Sequence, residues 1–260
     1  MKIECKVYGE TMEIELKENE EINDLEYKGL RIIQNKKEFC FGIDSVLLAH
    51  FAKDIKAGSK VLDLGTGTGI VGILLCEKSR LKEIIGVEIQ KHVCELAIRN
   101  IALNQLENKF KIINENIANL GNIIPPKSID AIVTNPPYKK ENTGIINENK
   151  AKQISRHEIF CKLEEIISVS AKVLKNNGEM YMINRPERLA DILISMRENN
   201  LEPKVIRFVH SKESNPPKLT LIKAVKNAKE FLKIEKPLII YQKEGSYTEE
   251  ILEIYERSNI

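Results

Sequence analysis

From residue 59 the chain alternates between two periods. Short apolar runs at 60–64, 83–89, 109–113, 128–134 and 178–183 read as buried strands. Between them the apolar positions return every three or four residues. That spacing predicts helices over 69–78, over 91–104 with Val93, Leu96, Ala97 and Ile101 on one face, over 156–175 with Ile159, Leu163, Ile166, Ser170 and Val173 along a stripe, and over 187–199 through Leu189, Ile192, Leu193 and Met196. Strands that alternate with helices pair parallel, with the helices packed on both faces of the sheet.

The pattern changes near the end. Residues 204–211 and 219–225 are strand-like with no helix between them, so they are expected to pair antiparallel as a hairpin. The expectation is an α/β fold, a seven-stranded mostly parallel sheet closed by a terminal antiparallel hairpin, which resembles the layout of Rossmann-like class I methyltransferases. Residues 231–241 read as one more edge strand and 248–257 as a terminal helix. Ahead of the alternating part, 43–53 reads as a helix capped near Asp44 or Ser45. Residues 1–27 are acidic and weakly patterned, and Met12 is an alternative start. The division expected is an acidic extension over 1–28, a catalytic domain over 29–228, and a C-terminal strand and helix over 229–260 packed on it.

Composition narrows the class. The chain has 260 residues, 42% of them hydrophobic and 30% charged, as in a soluble globular protein. No apolar stretch approaches the roughly 20 residues that span a bilayer, and the start has no charged-then-apolar leader pattern. A cytoplasmic protein is expected, with no membrane association and no obligate protein partner. Cys5, Cys40, Cys76, Cys94 and Cys161 are far apart without a C-x-x-C, so neither a disulfide framework nor a metal site is expected. The net charge of +2 is unevenly spread. Residues 1–26 hold three Lys against nine Asp and Glu, while 139–226 hold seventeen Lys and Arg against eleven Asp and Glu. A basic second half suits a polyanionic partner or forms a solvated lysine-rich surface.

Two motifs carry candidate chemistry. In V-L-D-L-G-T-G-T-G-I, Gly65, Gly67 and Gly69 stand between a predicted strand and a predicted helix. Glycines permit the tight turn and a close approach of backbone to ligand, and the helix N-terminus behind them favours an anion. The spacing is G-x-G-x-G, and Ile70 stands where a dinucleotide fingerprint needs its third glycine. Asp63 precedes the loop, Thr66 lies within it, and Glu88 near the end of the next strand is placed to accept from ribose hydroxyls. Together these resemble the S-adenosylmethionine (SAM) site of class I methyltransferases. Such enzymes carry an acidic residue after the following strand for the adenine amine; here Asn116, or Glu115 in a shifted register, occupies that place, and an amide carbonyl can accept the same bond.

The second motif is T-N-P-P-Y at 134–138. It follows a strand of the sheet, and ligands of open α/β sheets sit beyond the strand C-termini. The Asn135 side-chain carbonyl and the Pro136 backbone carbonyl can each accept one N–H of an exocyclic amine. That draws a conjugated nitrogen toward tetrahedral geometry. Pro136 and Pro137 stiffen the backbone, so the acceptors need little reorganisation. Tyr138 offers a face for stacking a base flipped from its helix. The alternative is a strand-ending turn. A second Asn-Pro-Pro at 215–217 lacks the aromatic residue and lies in the predicted hairpin loop, where proline shapes a turn.

The amine motif is common to enzymes that methylate adenine N6, cytosine N4 or the glutamine amide of release factors. The flanking blocks, G-L-R-I-I-Q-N-K-K-E-F-C-F-G-I-D-S-V-L-L-A-H-F-A at 29–52, G-V-E-I-Q at 86–90, R-N-I-A-L-N-Q-L at 99–106, S-R-H-E-I at 155–159 and N-R-P-E-R-L-A-D-I-L at 184–193, come in order and resemble the bacterial tRNA(Val) adenine-N6 methyltransferase family. The resemblance covers about residues 16–255. It implies SAM as cofactor, tRNA as partner, and methylation of the adenosine 3′ of the anticodon. By it Asp63, Gly65, Thr66, Gly67, Gly69, Glu88 and Asn116 serve the cofactor, and Asn135, Pro136, Pro137 and Tyr138 serve the target base. Protein-glutamine and DNA adenine methyltransferases, and a binding protein without catalysis, are the rival readings. Lys139, Lys140 and Arg156, in the unpatterned segment 139–158, together with Arg185, Arg188 and Lys218, are the candidates for RNA phosphates; Arg185 and Arg188 have ion pairing with Glu187 or Asp191 as the alternative role.

Overall fold

Parallel strands buried on both faces read as nearly continuous apolar runs, and β5 (Lys60–Leu64), β6 (Glu83–Glu88) and β8 (Ile129–Thr134) supply them, with polar residues mostly at their ends and Asp63 the buried exception. The computed structural model describes residues 2–7, 10–37, 42–136 and 163–256, with side chains from residue 15 onward. The remaining elements in chain order are β1 (Lys2–Val7), β2 (Glu10–Glu15), β3 (Glu20–Asp24), β4 (Arg31–Asn35), α1 (Ile43–Phe51), α2 (Ile70–Lys78), α3 (Lys91–Leu103), β7 (Phe110–Asn114), α4 (Leu163–Val173), β9 (Leu174–Asn184), α5 (Leu189–Glu198), β10 (Leu201–His210), β11 (Pro217–Lys226), β12 (Lys233–Ile234), β13 (Leu238–Ile239) and α6 (Glu249–Ile254).

The central sheet has the order β12-β10-β11-β9-β8-β5-β6-β7. Its pairs from β9 through β8, β5 and β6 to β7 are parallel. β11 runs antiparallel to both β9 and β10, as the missing helix between the last two strands predicts. The expected single edge strand over 231–241 is instead two short strands, β12 and β13, both parallel to β10 and separated by Glu235, Lys236 and Pro237. Proline removes a backbone donor and breaks the run. The sheet is therefore nine-stranded among the described residues, seven long strands and this split edge.

Helices cover both faces. One apolar cluster packs α1, α2 and α6 on residues such as Val61, Ala131, Tyr181 and Leu221. The other packs α4 and α5 on Leu62, Ile132, Met182 and Ile222. Helix α1 begins at Ile43 with Gly42 as its N-cap, so neither Asp44 nor Ser45 caps it; Asp44 lies in the first turn, where a negative charge complements the helix dipole. The helix expected to run to residue 175 ends at Val173 and passes directly into β9. Its part before residue 163 lies outside the described residues.

The weakly patterned N-terminal stretch forms two hairpins, β1–β2 and β3–β4, that stand apart from the central sheet. The β3–β4 pairing joins residues on both sides of position 28. No described helix is long and apolar enough to cross a membrane. Among the described residues no group of His, Cys, Asp and Glu could hold a metal ion, and Cys76 and Cys94 are buried free thiols.

Candidate functional site

The C-terminal ends of β5 and β8 lie side by side, with Leu64 the register partner of Thr134. Thr134 is fully buried, and its hydroxyl donates to the Leu64 carbonyl at 2.9 Å. This bond pins together the two points where the chain leaves the sheet. One exit is the loop 65–69, the other is Asn135-Pro136. The two sequence motifs therefore begin from neighbouring strands. Asn135 is half-buried and Pro136 buried. Pro137, Tyr138, Lys139, Lys140 and Arg156 lie outside the described residues.

The loop is set by its glycines. Gly65, Gly67 and Gly69 have φ of 70°, 56° and 86°, in the left-handed region that other residues rarely adopt. A Cβ on Gly65 or Gly67 would meet nothing within 4 Å, so the space in front of this backbone is open. The Gly65 and Thr66 N–H groups both donate to the Val87 carbonyl at 3.0 Å, which ties the loop to the end of β6. Gly69 N-caps α2.

Two carboxyl groups flank the loop in different ways. Asp63 is 1% exposed and accepts from the Thr66 hydroxyl at 2.7 Å. Burial pushes its pKa up to about 7, with the Glu88 charge adding to the rise and hydrogen bonds from Thr66 and the Gly72 N–H opposing it. Asp63 therefore organises the loop from beneath. Glu88 accepts from the Gly67 N–H at 3.1 Å and from the Gln90 N–H at 2.9 Å. Burial raises its pKa too, against those backbone bonds. Asn116 has its side-chain oxygen on the Ala118 N–H at 3.0 Å, as the N-cap of a short 3₁₀ turn over Ile117–Asn122. Glu115 accepts from the Asn116 N–H and from Asn119, and these bonds lower its pKa.

Because β11 is antiparallel to β9, its first residues return to the edge where β9 ends, with Thr220 opposite Asn184. This brings Arg185 and Lys218 together: the Arg185 guanidinium donates to the Lys218 carbonyl at 3.2 Å, and both residues are exposed. Arg188 is only 7% exposed and forms an ion pair with Asp191 at 3.2 Å. The second Asn-Pro-Pro is a turn. Asn215 donates its N–H to the Lys212 carbonyl at 3.0 Å, and its own carbonyl faces His210 Nδ1 at 2.6 Å.

Sequence reasoning passed over Thr134 as a tie and Asn100 altogether. Asn100 on α3 is fully buried, and its amide donates to the Thr68 carbonyl of the loop at 3.0 Å. The signal was an amide lodged between Ala97 and Ile101 on the apolar face.

A family model described as "Methyltransferase small domain" matches residues 42–196. A Porphyromonas gingivalis protein named tRNA1(Val) (adenine(37)-N6)-methyltransferase is 30% identical over 156 residues, 58% of this chain and 60% of that one. A Flavobacterium johnsoniae protein of the same name is 25% identical over 231 residues, 88% of this chain and 96% of that one. The first of these alignments thus spans less than two thirds of the relative. A solved Agrobacterium tumefaciens structure described as a predicted O-methyltransferase superposes with a TM-score of 0.67 at 17% identity, over 84% of this chain and all of that one. The fold is that of the class I methyltransferases.

Proposed function

The chain belongs to the methyltransferase small domain family, and from that premise we propose that it transfers a methyl group from SAM to the exocyclic N6 amine of an adenine in tRNA. The names borne by its relatives point to tRNA1(Val) and the adenine at position 37, beside the anticodon. Both substrates are cytoplasmic, and so on this reading is the protein.

The residues present suit the cofactor. Open space in front of Gly65 and Gly67 lets backbone meet a ligand directly. Glu88, at the end of β6, has carboxylate oxygens that can accept from ribose hydroxyls. Asp63 holds the loop in shape through Thr66, and Asn116, whose carbonyl already accepts from the Ala118 N–H, would accept from the adenine amine. When bound, SAM supplies an electrophilic methyl on a sulfonium.

The chain's own contribution is positioning. The adenine amine attacks poorly because its lone pair is delocalised into the ring. The Asn135 and Pro136 carbonyls each accept one of its N–H bonds, which localises the lone pair and aims it. Pro137 and Tyr138 complete the motif as the stiffener and the stacking face. Arg185 and Lys218 are assigned to tRNA phosphates, joined by Lys139, Lys140 and Arg156. Arg188, already matched by Asp191, anchors this corner.

The observation that carries the reading is the Thr134–Leu64 bond, which sets Asn135-Pro136 beside the glycine loop. Labelled SAM offered with tRNA, DNA or release factor tests it: label is expected in tRNA alone. Asn135→Ala is expected to keep cofactor binding while turnover falls by about a hundredfold or more. Near-wild-type turnover in that variant refutes the assigned role.

A further inference from the structure

The β3–β4 hairpin stands outside the central sheet, yet β4 is held as if α3 were its neighbouring strand. Asn104 accepts from the Arg31 N–H at 2.9 Å and donates to the Arg31 carbonyl at 2.7 Å. One helical turn earlier, Asn100 repeats this on Ile33, accepting from its N–H at 2.6 Å and donating to its carbonyl at 3.2 Å. Asn100 differs from Asn104 in its donation to the Thr68 carbonyl of the glycine loop. β3 is fixed as well: Arg99 makes two 2.6 Å bonds to the Glu20 carboxylate and one of 3.0 Å to the Glu15 carbonyl. Ile33 packs with Leu96, Ala102 and Leu103 of α3, and Leu16 and Ile22 pack against that cluster.

A fully buried amide that bonds two segments distant in sequence leaves polar groups unpaired if either segment moves away. We propose that the β3–β4 hairpin is a clamp on the cofactor loop: Asn100 holds Thr68 in place while Ile33 is docked, so hairpin docking and SAM binding strengthen one another. The proposal rests on reading the 65–69 loop as the SAM site. The coupling is reciprocal, since the factor by which docking tightens the cofactor equals the factor by which the cofactor tightens docking. Asn100 is a positioning residue in this scheme, acting through Thr68.

The test uses the full chain and S-adenosylhomocysteine, the unreactive product, as probe. Asn100→Asp keeps the acceptor for the Ile33 N–H and removes the amide donor that serves both the Thr68 and the Ile33 carbonyls. Asn104→Ala loosens the same hairpin without touching the loop. Calorimetric titration is expected to show probe affinity about tenfold weaker in Asn100→Asp and weakened by a smaller factor in Asn104→Ala, which loosens docking but keeps the bond to Thr68, with tRNA affinity unaltered in both. Amide hydrogen exchange over 31–35 is expected to slow when the probe binds the wild type and not when it binds Asn100→Asp. Equal probe affinity in wild type and Asn100→Asp overturns the clamp. If Asn100→Asp does not fold, wild-type exchange decides alone: no slowing over 31–35 at saturation overturns it. A wild type that binds no probe overturns instead the reading of the loop itself.

Discussion

Asp63 puts a carboxyl group where water does not reach and where Glu88 is its near neighbour in charge. Its pKa in the fold lies at about 7 against an ordinary 3.8, so folding favours the protonated form between those values. The stability this group contributes is complete below about pH 4 and is lost as the pH rises to about 7. Asp63→Asn removes the titration and keeps an acceptor for Thr66. Between about pH 5 and about pH 7.5 the melting temperature of the wild type is expected to drop further than that of the variant. Equal drops would mean that the carboxyl ionises in the fold as it does in the unfolded chain. This behaviour was not legible in the sequence: D-L-G-T-G shows an acid ahead of a loop, but the burial comes from strands on both sides of β5.

At the scale of elements, α2 crosses β7 at one tight point. A Cβ on Gly72 would collide with the Phe110 ring, which is 1% exposed. Gly72→Ala is expected to destabilise the protein by about 1–3 kcal/mol, the usual result of overpacking a filled core. Urea denaturation measures it, and an unshifted midpoint would show that the ring can turn aside. The elements from β5 to β8 were legible to within about two residues because a doubly buried strand writes its length as an apolar run. Two places were not. At 173–174 an apolar helix stripe meets an apolar strand without a break, and exposed Lys175, Asn176 and Asn177 disguise the start of β9. The β3–β4 hairpin takes its support from Arg99, Asn100 and Asn104, far along the chain, so no local period announces it.

For the whole molecule the decisive property is charge. The acidic start and basic second half are separated in sequence, and the fold brings Arg185 and Lys218 to the edge where the candidate site opens. On the tRNA reading, affinity falls steeply with salt, and Arg185→Ala or Lys218→Ala each lowers the slope of log affinity against log salt by about one. Filter binding over a salt series measures this, and a flat series removes the phosphate assignment. The two motifs of the site were legible because each is contiguous. Their common place at the strand C-termini followed from the β–α alternation; the tie that fixes them was not legible, since it joins Thr134 to Leu64 across 70 residues.

The docking of β4 on α3 has a cost during synthesis. Ile33 waits for a partner 67 residues further along the chain. At about 5–20 residues per second a ribosome needs roughly 3–13 s to deliver that helix. Through that interval Ile22 and Ile33 have each other but not the α3 face that covers them, so the nascent β3–β4 hairpin is open to chaperones and proteases.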